Sequence, residues 1–323
     1  MSRSASTSPV PSSPIHGGHV RRGGVDILLA ASLWGTTGTV RTFADGASAF
    51  SIAAIRLIIG GAVLLALATS TRRDDGLRRL LGARRNRPLI GVGAAAIVVY
   101  QTAFFVATGR TGVAVATVVT IGSAPAFTGV LGLVTRRTAP TGRWVVSTGG
   151  AVAGCALLVG GGRDAGIDPA GIALALLAGL SYAVYATGAS VLITRGEDDR
   201  AVAGALFAAA AVPLVPVLFA QPMGWLGTGS GALIAVYLGV VTTGGAYLLF
   251  TRGLRTTPAT AATTLTLAEP AVAAVLGMVL LDERLGTSAL GGLGLLAVSL
   301  VVLVSPVRRR KDSERIQAGN KWV

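Results

Sequence analysis

Charge is scarce in this sequence. Of its 323 residues only 13% are Asp, Glu, Lys or Arg, against about 25% in soluble domains. A soluble chain of this length needs a polar exterior, and this composition cannot supply one. Cysteine is nearly absent: Cys155 stands alone in an apolar run, which excludes an intramolecular disulfide and reads as a small buried hydrophobe. The two histidines, His16 and His19, both lie near the N-terminus. That leaves the apolar region no imidazole for Ser-His chemistry or a His-ligated metal. The two lysines, Lys311 and Lys321, lie near the C-terminus, so a Lys-assisted mechanism is excluded as well. No GxxxxGK[ST] occurs, and "GVGAAA" (91–96) follows no strand, so P-loop ATP hydrolysis and a nucleotide site are discarded. No segment alternates with the period of a transmembrane barrel. The expectation is a protein that is not an enzyme and that calls for no metal and no cofactor.

What is present is apolar. Hydrophobic residues make up 52% of the chain and the mean hydropathy is +0.68, the signature of a polytopic membrane protein. A helix needs roughly 20 residues to cross the hydrocarbon core. Apolar runs of about that length recur at 24–44, 48–70, 88–108, 112–134, 144–162, 169–192, 201–220, 230–250, 257–281 and 287–306. The first run is too long for the apolar core of a signal peptide, and others follow it. Residues 1–23, rich in Ser, Pro, Gly and Arg, read as a disordered cytoplasmic tail, and 307–323 as a basic cytoplasmic tail.

The net charge of +14 would suggest nucleic acid in a soluble protein. Here the arginines cluster between apolar runs and report topology instead, so no nucleic-acid partner is expected. With ten spans and a cytoplasmic N-terminus, 23 of the 28 Lys and Arg fall on the cytoplasmic side and four outside, leaving Arg56 inside the second span. This places the protein in the cytoplasmic membrane, with both termini in the cytoplasm.

The chain also repeats itself. A shift of 145 residues carries Phe105 onto Phe250, Arg110 onto Arg255, Thr111 onto Thr256 and Pro125 onto Pro270. It also carries "VLG" at 130–132 onto "VLG" at 275–277, and "LLAASLW" (28–34) is echoed by "LLAGLSY" (176–182). The unit is five helices, an odd number, so the second copy enters the membrane inverted. The expected architecture is all-α, with ten transmembrane helices in two inverted five-helix repeats, 24–162 and 169–306. Inverted repeats are characteristic of secondary transporters with a site near the midplane.

"LLAASLWGTTG", "AAIRLIIGG" and "LAEPAVAAVLGMVLLDERL" resemble the EamA family of the drug/metabolite transporter superfamily, over about residues 24–306. The likeness is tightest at the ninth span, with its terminal "LDER" (281–284). It is looser in the first half, where the matching helix ends "VTRRT" (134–138) without an acid. The resemblance implies a carrier of small metabolites, an exporter of amino acids or related compounds, working by alternating access. A channel and a non-transporting scaffold or receptor are the alternatives.

The candidate site centres on Glu269. A charge at the bilayer centre costs roughly 2.5–3.5 kcal/mol, so such a residue faces a cavity or a partner. Three roles are open: binding a cationic group of the solute, exchanging a coupling proton, or pairing with Arg56. Arg56 either snorkels outward or meets Glu269 or a solute carboxylate. Pro125 and Pro270 are expected to kink matching helices. Trp34, Tyr100, Gln101, Tyr182, Tyr185, Thr243 and Tyr247 are candidates for lining the pathway, whereas Trp144 and Trp225 read as interfacial. The threonines of "TTLTLAE" (263–269) bond back to their own helix. Gly150 and Gly154 form a close-approach stripe, either internal or at a homodimer interface. The partners expected are a small solute, protons and the lipid bilayer.

Overall fold

The computed structural model describes residues 18–70, 75–135, 140–160, 168–280 and 286–305. The N-terminal residues 1–17, the "RR" pairs at 72–73 and 136–137, Arg163, the "LDER" motif and the C-terminal tail lie outside them. No strand occurs among the described residues.

The helices in chain order are α1 (Gly18–Arg41), α2 (Ala49–Thr69), the short α3 (Gly76–Gly82), α4 (Arg87–Thr111), α5 (Val113–Val134) and α6 (Gly142–Gly160). The second half holds α7 (Pro169–Thr194), α8 (Asp199–Ala211) and α9 (Val215–Ala220). It continues with α10 (Gly229–Val236) and α11 (Ala246–Gly253), which are joined by a π-helical stretch at Tyr237–Gly245. Last come α12 (Ala259–Leu265), α13 (Ala268–Leu280) and α14 (Thr287–Val304).

Short polar caps set the helix starts. The Ser48 side chain accepts from the Ser51 amide, Asp168 from Ala170 and Asp198 from Arg200 and Ala201, each at 3.0 Å. Pro169 follows Asp168 at the first helical position, where its missing N–H costs nothing. Gly112 separates α4 from α5 at φ 81°, a backbone conformation that a side chain resists.

Eight helical segments among the described residues are long and apolar enough to cross a membrane. They are α2, α4, α5, α7, α8 with α9, α10 through α11, α12 with α13, and α14. Ten were expected. The other two expected spans are helical but poorer: α1 holds Asp26 and the run "GTTGT" (35–39), and α6 is 19 residues long with Arg143 in its first turn. The chain is thus an all-helical, multi-pass membrane protein. One boundary differs clearly from the sequence reading. The helix begins at Gly18 rather than after residue 23, because Gly23 and Gly24 are buried, with Gly23 pressed against the carbonyl of Gly253.

Helix contacts come in matched sets. Helix α4 packs on α7, and α11 packs on α1; α5 packs on α7, and α13 on α1. Helices α2 with α8 and α6 with α14 complete the bundle. Two ion pairs follow the same pattern: Asp26 with Arg252 and Asp168 with Arg110, both at 3.2 Å. A shift of 142 residues carries Asp26 onto Asp168 and Arg110 onto Arg252, so each pair joins the first helix of one half to the third long helix of the other. Asp26 and Arg41 stand near opposite ends of α1, about 22 Å apart at 1.5 Å per residue.

The glycine stripe of α6 is used inside the molecule. A Cβ on Gly154 would meet the Leu296 amide at 2.7 Å and the Gly292 carbonyl at 2.8 Å, so the backbones of α6 and α14 touch. The Arg143 guanidinium donates to the carbonyls of Leu303 and Ser305, tying the start of α6 to the end of α14. Trp225, in the connection between α9 and α10, is buried, and its Nε1 donates to Ser51 Oγ in the first turn of α2 at 3.1 Å. Cys155 is free and buried.

Gly149, on the same helix but with open space around it, is a matched control for Gly154. Gly154→Leu should lower the unfolding midpoint in detergent, an overpacking cost of about 1–3 kcal/mol, while Gly149→Leu should stay within about 0.5 kcal/mol of wild type. Equal melting of the two variants would remove the backbone-contact argument.

Candidate functional site

The ninth apolar run does not form one helix. The hydroxyls of Thr263, Thr264 and Thr266 bond back to the carbonyls of Ala259, Thr260 and Thr263 at 2.8–3.0 Å. At the end of α12 the backbone tightens to three-residue steps. Leu267 N–H donates to the Thr264 carbonyl at 3.1 Å, and Glu269 N–H to the Thr266 carbonyl at 3.0 Å. Pro270 has no N–H to offer the same carbonyl, so the ordinary four-residue ladder cannot cross this point. Helix α13 restarts at Ala268 with Glu269 in its first turn. The unpaired amides of a helix start favour a carboxylate there. Gly35 of α1 admits this turn closely: a Cβ on it would meet the Glu269 carbonyl at 2.8 Å.

The helix of the other proline behaves differently. Helix α5 runs unbroken through Pro125, whereas α12 and α13 part beside Pro270. A single proline removes one hydrogen bond, and a helix can absorb that loss when its neighbours re-satisfy the backbone. Ala124, where the second copy has Glu269, is fully buried and brings no charge that needs an opening.

Glu269 faces a cavity of about 210 Å³. Of the residues singled out from sequence, Trp34, Arg56, Tyr100, Gln101, Tyr182, Tyr247 and Pro270 line it with Glu269. Thr243, Tyr185 and Pro125 do not. Thr243 sits behind Arg56, whose Nε donates to Thr243 Oγ1 at 3.2 Å, and the same hydroxyl donates to the Leu238 carbonyl at 2.9 Å. That bond spans five residues within the π-helical stretch, a geometry that recurs at functional sites. Tyr185 is buried behind the wall, its ring 6.0 Å from Tyr182 and 5.9 Å from Tyr247.

Arg56 and Glu269 share the cavity but are not among the five ion pairs of the described residues. The third role read for Glu269, a structural pair with Arg56, therefore lacks its contact in this conformation. The carboxylate of Glu269 and the amide of Gln101 accept and donate no side-chain hydrogen bond among the described residues. Three further polar groups on the wall are buried without a partner: Trp34 Nε1, Thr37 Oγ1 and the Tyr182 hydroxyl. A solute or water entering this cavity meets one carboxylate, two guanidinium groups (Arg56 and Arg41) and several free donors, framed by aromatic faces.

The sequence reading missed Thr37 and Arg41 on α1, and Thr117 and Thr120 on α5, all of which line the cavity. Their signal was the helical spacing: Thr117, Thr120 and Ile121 lie at i, i+3 and i+4 and share one face. Arg41 places the mouth of the cavity at the end of α1 remote from Asp26.

Water access is testable by thiol labelling in a Cys155→Ala background. Gly38→Cys, on the wall with open space beside it, should react with a membrane-impermeant maleimide. Ala124→Cys, fully buried, should resist it. Resistance of Gly38→Cys would mean that the cavity is closed to water.

The comparisons with known proteins agree with this architecture. The EamA-like transporter family model matches residues 22–160 and 169–305. A Bacillus subtilis (strain 168) protein described as the uncharacterized transporter YwfM is 38% identical over 289 residues, covering 89% of this chain and 95% of that protein. A crystal structure described only as that of a protein superposes with a TM-score of 0.74 at 21% identity, covering 87% of this chain and 95% of the other. That likeness speaks for the fold alone. Family matches in both halves and a relative this similar over nearly its whole length mean that the chain belongs to the EamA-like transporter family, within the drug/metabolite transporter superfamily.

Proposed function

We propose that this membrane transporter carries a small zwitterionic solute of the amino-acid class, outward across the cytoplasmic membrane, by alternating access. The observation that carries the reading is the pair of opposite charges, Glu269 and Arg56, on one cavity and unpaired with each other. An α-amino acid offers the complement of both. Its carboxylate would take the Arg56 guanidinium, held in aim by Thr243, and its ammonium group would take Glu269. In the absence of solute a proton on Glu269 offsets the same charge, which gives a route to coupling with the proton gradient. The aromatic wall leaves room for an apolar side chain.

Alternating access draws its support from the matched helix contacts and the two equivalent ion pairs. Ten spans in two inverted five-helix repeats account for both, taking α1 and α6 as spans. The 23-to-four split of basic residues then favours cytoplasmic termini. In this frame Asp168–Arg110 latches the outer end and Asp26–Arg252 the cytoplasmic end. Asp168 lies just outside its span. The Ala170 amide, together with the Arg110 guanidinium, holds its carboxyl below the ordinary range. A lowered value keeps the latch charged at neutral pH, and the interaction is lost only as pH falls below about 3.9, the usual aspartate value.

Two outcomes test this reading. In proteoliposomes, an amino-acid panel should contain a solute whose transport falls at least about tenfold in both Glu269→Gln and Arg56→Gln, about 1.4 kcal/mol or more each. Full-rate transport by either variant, with unaltered dependence on the proton gradient, would sink the assignment. The latches should act in opposite directions on Gly38→Cys labelling. Asp168→Asn should speed it, and Asp26→Asn should slow it. Shifts of the same sign would contradict alternating access through these pairs.

A further inference from the structure

A second cavity, about 450 Å³, lies at the other end of the bundle. It takes no part in the site just described, yet its wall is patterned. Helix α7 presents Thr187, Ser190 and Thr194 to it, spaced as one helical face. Helix α5 adds Thr128 and its C-cap residue Thr135, and the start of α12 adds Thr257 and Thr260. Arg255 is the cationic group of this wall, its Nη1 donating to Asp199 Oδ1 at 3.4 Å. Thr187 Oγ1 is buried and has no hydrogen-bond partner, whereas the equally unpartnered Thr257 Oγ1 lies against Gly23 of α1. Buried hydroxyls are normally satisfied, so the Thr187 hydroxyl on this wall points to a ligand.

The position of this cavity is not arbitrary. The shift of 145 residues carries Val113 onto Pro258 and Thr128 onto Ala273. Val113 and Ala273 line the first cavity, and Pro258 and Thr128 line the second. The two cavities therefore occupy equivalent places at opposite ends. Between them stand Thr263, Thr264, Leu265 and Leu267, all 2% exposed or less.

We propose that the second cavity is a solute-binding antechamber on the cytoplasmic side of the same pathway, where hydroxyls and Arg255 receive a carboxylate before the solute reaches Glu269. The assignment rests on the proposed function for its place in the pathway, but not for its ligand chemistry. Hydroxyl and guanidinium donors suit a carboxylate oxygen. Among the described residues no acidic side chain lines this wall, so an ammonium group finds no counter-charge on it.

The test is protection of Ser190→Cys in a Cys155→Ala background, in inside-out vesicles, from an impermeant maleimide. The probe is sodium acetate, with sodium chloride at equal ionic strength as the control. Acetate has no ammonium group, so the result does not depend on the amino-acid reading. Acetate should slow labelling about fivefold and chloride should not. Thr187→Val should abolish the protection, while Thr187→Ser, which keeps the hydroxyl, retains it. Glu269→Gln should leave it in place. No labelling, equal protection by both salts, indifference to Thr187→Val or loss of protection in Glu269→Gln would each overturn the antechamber. Protection together with a failed amino-acid panel would leave the antechamber standing and remove the substrate assignment.

Discussion

Every other feature of this protein depends on the satisfaction of backbone hydrogen bonds without water. In hydrocarbon an unpaired amide or carbonyl costs several kcal/mol, so the chain is driven into helices throughout its apolar runs. The same constraint makes an interrupted helix conspicuous. At Thr266 and Leu267 the ladder shortens its step, the threonine hydroxyls fold back onto their own carbonyls, and Pro270 forbids repair. Such a break survives only where it is buried in protein or faces a cavity, and Thr266 and Glu269 do face one. Proline, threonines and acid thus act together: the first two open the helix and the third occupies the new helix start.

The charges in the cavity are arranged by different means. Glu269 is placed by the start of α13, a backbone effect. Arg56 is placed by a side chain, Thr243, on a stretch of π-helix that brings the hydroxyl to the guanidinium. Keeping the two apart leaves each able to meet a solute. Had they closed into a buried pair, their mutual attraction would have competed with any ligand.

Much of the helical layout is legible in the sequence because hydrophobic runs and positive clusters are long-range signals. The apolar context of Glu269 and Arg56 points to one cavity for the same reason: neither could rest in lipid. Depth around the cavity is harder to read. Tyr182 lines it while Tyr185, three residues on and on the same face, packs behind. Thr243 touches Arg56 rather than the cavity because the π-helical turns shift its facing. Thr117 and Thr120 were passed over because threonine in apolar helices usually satisfies itself locally, and Thr117 does so at Val113 while Thr120 reaches across to Ala175. Pro125 shows that a residue type alone does not break a helix. The break needs the threonines and the acid beside it.

The contact between Gly154 and Gly292 has a mechanical consequence. Where two backbones touch, no side chain remains to be compressed or repacked, so the helices can neither close further nor part without losing the contact. On the proposed alternating-access reading, the relative movement of the halves that keeps the contact is rotation about that crossing, which becomes a fulcrum. Displacement about a fulcrum grows with the lever arm, so on the same reading elements far from the crossing would move more than α6 and α14. On that reading a contact between two glycines would set the stroke delivered at the charged cavity.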